Sequence, residues 1–205
     1  MRDHGRMSDD PTHVQEFFGA RAADWDARFP DDGPAYAAAV ADLGLRPGDR
    51  VLDAGCGTGR ALPPLRAAVG RDGVVIGADL TPEMLAVAER AGRGRDGTLV
   101  RTDVTRLPLR DGALDAVFGA GLISHLPEPA GNLRELARVV RPGGRLALFH
   151  PVGRAALAAR HGRRLTPDDL RAEGNLGPLL AGSGWRLESY TDEDDRFLAL
   201  AVRQG

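Results

Sequence analysis

The sequence predicts a doubly wound α/β sheet of seven strands, mostly parallel and closed by an antiparallel C-terminal hairpin strand. Two observations predict it. Between residues 50 and 150, short apolar runs interleave with helical patterns, which implies right-handed βαβ units. Beyond them, two further apolar runs, Arg186–Tyr190 and Phe197–Val202, are separated only by the acidic turn Thr191–Arg196. So short a link cannot be a parallel crossover, and the two runs must pair as a hairpin.

The elements follow in order. Residues 1–11 are polar and are expected to be disordered. From Thr12 the pattern is helical, with Val14, Phe17, Phe18, Ala22 and Trp25 at three-to-four spacing. The turn Pro30-Asp31-Asp32-Gly33-Pro34 leads to a second helix, Tyr36–Leu43, so residues 12–48 read as an N-terminal helical cap. Strands are expected at Arg50–Ala54, Val74–Ala78, Thr98–Thr102, Ala113–Phe118 and Arg145–His150, and helices at Arg60–Val69, Pro82–Ala91 and Ala130–Val140. Thr81 is a good N-cap before Pro82. Pro142-Gly143-Gly144 should stop a helix and turn the chain back into the sheet. A last helix, Pro167–Ala181, precedes the hairpin. There is no internal repeat, and residues 12–205 read as one domain.

Composition narrows the function. A net charge of -2 and a pI of about 6.2 disfavour a nucleic-acid surface. No apolar stretch reaches 18 residues, and the N-terminus lacks the apolar core of a signal peptide, so no membrane partner is expected. Cys56 is the only cysteine, which excludes an internal disulfide and suits a cytoplasmic protein. No His, Cys and carboxylate cluster has metal-ligand spacing, so no metal is expected. A monomer or homodimer acting on a small molecule is the expectation.

The segment Asp53-Ala54-Gly55-Cys56-Gly57-Thr58-Gly59-Arg60 joins a strand to a helix. Glycines there let the backbone approach a ligand at the carboxyl end of a strand, where nucleotide-like cofactors bind in such sheets. The dinucleotide fingerprint needs Gly or Ala at position 60, and Arg60 stands there. Asp79, ending the second strand, can accept hydrogen bonds from ribose hydroxyls and suits NAD as well as other nucleosides; it could also simply favour a helix start. Asp103 follows the third strand and could make an Asx turn.

Asp53, Gly55, Gly57 and Gly59, with Asp79, Asp103, the run Leu107-Pro108-Leu109 to Val117, and Arg141-Pro142-Gly143-Gly144, together resemble class I S-adenosylmethionine (SAM)-dependent methyltransferases of the small-molecule type. The resemblance is most specific over residues 50–150. It implies a Rossmann-like sheet with the last strand inserted antiparallel, and SAM as cofactor. It implies that Asp53, Gly55, Cys56, Gly57 and Gly59 pass under the amino-acid moiety. It also implies that Asp79 and Leu80 meet the ribose, that Asp103 and Val104 meet the adenine, and that Ala120 borders the cofactor. Asp115 and the Arg141–Gly144 turn read as structural.

The chemistry needs little more. A sulfonium carries its own leaving group, so methyl transfer is an in-line displacement in which the protein chiefly positions the nucleophile and excludes water. His125, after the fourth strand, and His150, ending the fifth, are the candidate bases; as plain wall residues they need no such role. Phe17, Phe18 and Trp25 could cap the cofactor or merely pack, and Arg21 and Arg28 could meet a carboxylate or face solvent. Residues Gly153 to Leu165, with four arginines and His161, should overhang the site. Cys56 reads as a small buried filler. No Asn/Asp-Pro-Pro-Tyr/Phe sequence follows the fourth strand, where Gly119-Ala120-Gly121-Leu122 stands, and this favours a small-molecule acceptor. Two other readings stay open: a SAM-binding protein without methyl transfer, and an NAD-dependent oxidoreductase.

Overall fold

The computed structural model describes residues 11–205. The expected disorder of residues 1–11 lies outside that range except at Pro11, which opens a helix. In chain order the elements are α1 (Pro11–Gly19), α2 (Trp25–Arg28), α3 (Gly33–Leu43), β1 (Arg50–Ala54), α4 (Leu62–Val69), β2 (Val74–Asp79), α5 (Pro82–Arg90), β3 (Thr98–Arg101), β4 (Leu114–Ala120), α6 (Pro129–Val139), β5 (Val140–His150), α7 (Arg154–Arg160), α8 (Glu173–Ala181), β6 (Trp185–Glu193) and β7 (Arg196–Arg203).

The seven strands form one sheet in the order β3-β2-β1-β4-β5-β7-β6. β3, β2, β1, β4 and β5 run parallel, while β7 lies antiparallel between β5 and β6. The chain order reverses direction on either side of β1, between β2 and β4, and that switch point places a crevice at the carboxyl end of β1.

Both faces of the sheet are covered, so the central strands read as apolar runs rather than alternations. Leu52, Val117, Leu146 and Leu148 pack on one face with Leu133, Leu136, Leu176 and Trp185. Val51, Phe118, Ala147 and Phe149 pack on the other with Val40, Leu43, Leu62 and Leu65. Trp185 is fully buried, and its indole N–H donates to the carbonyl of Leu133 at 2.9 Å, so the polar edge of this ring carries no desolvation penalty.

The structure departs from the sequence expectations at four places. The N-terminal helical pattern breaks into α1, a 3-10 turn at Ala22–Asp24, and α2. Arg21 and Arg28 therefore do not share a helix. The Arg141–Gly144 turn lies inside β5: α6 runs directly into the strand, and the residues between Leu114↔Val140 and Ala116↔Arg145 bulge out of register. Asp115 holds this bulge by accepting from the Arg141 guanidinium (2.6 Å) and from the Arg50 backbone N–H (2.8 Å), as a structural residue should. α8 starts at Glu173, not Pro167, because the Asn175 amide donates to the carbonyls of Pro167 and Asp169 and folds that stretch into turns. The hairpin turn is tighter than expected, with only Asp194 and Asp195 between β6 and β7.

Replacing Trp185 by alanine is expected to cost about 3–5 kcal/mol of stability, the range for emptying a buried aromatic site. The shift in the urea unfolding midpoint at unchanged m-value checks it.

Candidate functional site

At the end of β1 the chain must turn sharply out of a buried strand into α4. Gly55, Gly57 and Gly59 take φ of +69°, +54° and +80°, a region that side chains resist. A Cβ on Gly59 would sit 2.9 Å from Leu62, so that glycine permits the helix to pack closely. A Cβ on Gly57 would meet nothing within 4 Å. Gly57 is the open point of the loop, where a ligand can lie against the backbone. Cys56 is buried beside Gly77 of β2, and burial pushes its thiol far above the ordinary range, so it acts as filler and not as a nucleophile.

Asp79 at the end of β2 organises this loop. Its Oδ2 accepts the Gly57 N–H at 2.7 Å, and its Oδ1 accepts the Thr81 N–H at 2.8 Å. A carboxylate has about four acceptor positions, so capacity for a ligand hydroxyl remains. Thr81 occupies the N-cap of α5, but its side chain caps nothing; it bonds the Asp79 carboxylate instead. Burial pushes the Asp79 carboxyl up, and the amides of Thr81 and Gly57 restrain that rise.

Asp53 is 1% exposed, and its Oδ1 has no partner. Burial, and then the charge of Asp79, raise its carboxyl to about 8. A buried acceptor left empty is costly and calls for a donor or a cation. Tyr36 of α3, absent from the sequence expectations, packs on Phe149 (5.1 Å between ring centres) and on Phe118 (6.3 Å). Burial raises its phenol well above the ordinary range, and the charge of Asp53 raises it further. Tyr36 is thus a neutral hydroxyl beside the loop. No motif marks it, because only packing brings α3 there.

The other expected cofactor residues line the same edge. Asp103, two residues past β3, makes the Asx turn, accepting the Thr105 N–H at 2.8 Å on Oδ1. Its second oxygen has no such bond among the described contacts. Val104 is half-buried against the core. Leu80 follows Asp79, and its carbonyl accepts the Gln15 side-chain amide at 3.4 Å. Ala120 ends β4, and Gly121 turns the chain there with its N–H bonded to the carbonyl of Phe149.

α1 lies across these loops. Gln15 reaches the loop after β2, and the Phe18 ring stands edge-on to His125 at 5.1 Å. Phe18 also meets Trp25 (5.5 Å), and Trp25 meets Phe29 (5.4 Å). The aromatic residues of the cap therefore face the carboxyl edge of the sheet. Arg21 is used up locally, stacking on Phe17 and donating to its carbonyl. A cleft of about 560 Å³ lies at the other end of the sheet among Asp111, Arg134, Arg138 and Arg203, and it contains none of these residues.

The histidines are placed as expected and behave differently from free imidazoles. His125 is largely buried, with Nδ1 unpartnered, and burial followed by the charge of Arg171 lowers its pKa. His150 is lowered to about 4, by burial first and by Arg171, Arg160 and His125 in turn. Its Nδ1 is engaged by the backbone of Val152, at 2.8 Å from the carbonyl and 3.1 Å from the N–H, which leaves Nε2 for other contacts. Of the four arginines over the site, Arg154 is tied down by Asp192 (2.9 Å) and Asp169 (3.4 Å), while Arg160, Arg163 and Arg164 are exposed. No group of three or more metal-ligating side chains occurs among the described residues.

A switch-point crevice with a glycine loop, a ribose-type carboxylate and a buried acid defines a protein that binds a nucleoside cofactor at the carboxyl edge of its sheet. Residues 52–148 match the sequence family described as "Methyltransferase domain". Over that segment, a little under half of the chain, the sequence is similar to methyltransferases. It is 39% identical over 110 residues to 27-O-demethylrifamycin SV methyltransferase of Amycolatopsis mediterranei, and 44% identical over 108 residues to demethylmenaquinone methyltransferase of Beutenbergia cavernae. Each match spans 52% of this chain but only 40% and 42% of those relatives, so the chain covers about two fifths of their length. A SAM-dependent methyltransferase of Aquifex aeolicus superposes with a TM-score of 0.67 at 25% identity, over 95% of this chain and 98% of that one.

SAM, on which the Aquifex aeolicus methyltransferase depends, suits the residues present. The empty Oδ1 of Asp53 matches an ammonium, and the open face of Gly57 matches close backbone approach. Two outcomes are expected. Gly57→Ala strains the loop by about 1–2 kcal/mol, since a side chain resists this φ. It fills the open point, so the protein stays folded by circular dichroism and loses at least tenfold in calorimetric affinity for S-adenosylhomocysteine. The second concerns pH. Asp53 holds its proton in the folded, ligand-free protein, so stability falls as pH rises from about 4 to about 8. An ammonium bound beside it favours the ionised form, so affinity for S-adenosylhomocysteine should rise with pH toward about 8; Asp53→Asn should flatten both trends.

Proposed function

We propose that this protein transfers a methyl group from SAM to a small-molecule acceptor, with residues 12–205 working as one domain. The observation that carries the reading is the buried, unpartnered carboxylate of Asp53 beneath the Gly57 opening, capped by α1. Asp53 and the glycine loop would hold the amino-acid end of the cofactor, Asp79 and Leu80 the ribose, Asp103 and Val104 the adenine, and Ala120 the wall beside them.

Bound SAM supplies a methyl group on a sulfonium that leaves as a neutral thioether. The task of this chain is to present an acceptor atom in line behind that methyl and to exclude water. Phe18, Trp25, His125 and His150 would bound the acceptor space, and the cap would keep it dry. A hydroxyl acceptor would pass its proton to the neutral imidazole that accepts its hydrogen bond, and from there to solvent.

The histidines would act on that proton as neutral hydrogen-bond acceptors. With lowered pKa values they are weaker bases than a free imidazole, and His150, at about 4, lies well below the near-neutral optimum for general-base catalysis. They suit an acidic hydroxyl or carboxyl, which needs little help, better than an ammonium, which must first lose a proton to something more basic. The charged groups that reach both rings are arginines, which points the same way. The relatives named for 27-O-demethylrifamycin SV and demethylmenaquinone support a small-molecule acceptor.

Calorimetry with SAM, S-adenosylhomocysteine and NAD tests the cofactor, and binding of NAD alone would overturn it. Labelled methyl transfer into a panel of phenols, carboxylic acids and amines tests the chemistry; SAM binding without transfer to any of them supports the non-catalytic alternative. With a working acceptor, His125→Ala and His150→Ala are each expected to lower kcat/KM by about 10²-fold, the lower range for a lost proton-accepting group, with affinity for S-adenosylhomocysteine unchanged. Because both rings stay neutral near pH 6.5, kcat/KM should show no inflection there. An inflection at 6.5 that vanishes in either variant would refute this assignment.

A further inference from the structure

Asp26 in α2 sits between two arginines and a loop hydroxyl. Its Oδ1 accepts from the Thr58 hydroxyl at 2.7 Å and from Arg60 Nε at 3.1 Å, and its Oδ2 pairs with Arg93 at 2.7 Å. Thr58 belongs to the glycine loop, Arg60 follows it directly, and Arg93 also donates to the Thr58 carbonyl at 2.6 Å. Arg60 spreads its other donors over the Asp32 carboxylate (3.1 Å) and the carbonyls of Asp26 and Phe29. The Arg60 side chain is only 12% exposed. This cluster ties the segment 22–32 to the loop after β1 and to Arg93, alongside the Gln15 bond and the aromatic contacts of α1.

We propose that Asp26 is a latch that couples closure of the N-terminal cap to occupancy of the glycine loop. The inference rests on the cofactor reading above. The cap crosses the loops after β1, β2 and β4, so a cofactor lying on those loops enters and leaves only when the cap swings away. The latch bonds the side chain of the same residue, Thr58, whose backbone lies between Gly57 and Gly59. A ligand that fixes the loop therefore fixes the latch, and a closed latch holds the loop in the form that the ligand meets. Coupling of this kind is reciprocal: if closure tightens cofactor binding by some factor, cofactor binding favours closure by the same factor. Asp26 acts here as a positioning residue, through the loop and not on the reacting atoms.

The test uses the full chain and S-adenosylhomocysteine. In the ligand-free protein, Asp26→Ala should speed amide hydrogen exchange across residues 12–29 by tenfold or more while leaving β1, β4 and β5 protected as before. S-adenosylhomocysteine should slow exchange of 12–29 in the native protein, and Asp26→Ala should weaken its affinity by a similar factor, fivefold or more. Asp26→Asn, which keeps an acceptor for Thr58 but loses the charge, should fall between, and it serves if the alanine variant does not fold. Asp24→Asn, an exposed acid in the same turn, should change neither reading. Unchanged exchange across 12–29 in both Asp26 variants overturns the latch. Faster exchange with unchanged affinity overturns the coupling. If the native protein binds no S-adenosylhomocysteine, the cofactor reading fails and the coupling with it, while exchange in the ligand-free variants still decides whether Asp26 holds the cap.

Discussion

The site depends on one hydrogen bond, from the Gly57 backbone N–H to the Asp79 carboxylate. It fastens the loop after β1 to the end of β2, across two strands in direct parallel register. With the Cys56 N–H bonded to the Ala78 carbonyl at 2.9 Å, it selects one conformation for a loop whose three glycines allow many. With it, Asp79 sets the loop and, through Thr81, the start of α5 at once. The charge-assisted bond is short, and it lies in a half-buried place where such bonds are strongest.

That arrangement has a cost on the neighbouring strand. Asp53 points a carboxylate into the same low-dielectric space, close enough to Asp79 for their charges to repel. Among the described residues none offers its Oδ1 a donor or a cation, so the carboxyl keeps its proton in the ligand-free protein. A folded protein retains such a group at the expense of its own stability, and the usual place for that expense is a functional site. A ligand that brings a positive charge would relieve that expense.

The sheet was legible because its signals are local or periodic. The βαβ rhythm needs only apolar runs and helix punctuation, and the hairpin follows from the shortness of one link. The residues of the glycine loop, Asp79 and Asp103 were legible for the same reason: each sits at a strand end. Asp26, Asp32, Tyr36 and Arg93 were not. Each acts through a partner tens of residues away, and no period or spacing records such a pairing. Arg60 shows the difference. In the sequence it served only to exclude a third glycine, whereas in the fold its side chain joins the cap to the loop. The Arg141–Gly144 bulge was misread because a Pro-Gly-Gly run signals a turn equally well inside a strand or before it.

The same gap between residue type and environment decides the histidines. Sequence position places His125 and His150 at the right edge, and an ordinary imidazole there would be a competent base near neutral pH. Burial removes that competence, and the arginines around both rings deepen the effect. Accepting a hydrogen bond does not require a high pKa, so the rings retain the part of the role that orients a hydroxyl. The burden of catalysis then moves to alignment and dryness, which are supplied by the cap. A cap held through Asp26 to Thr58 of the glycine loop, and to Arg60 and Arg93, is consistent with that division.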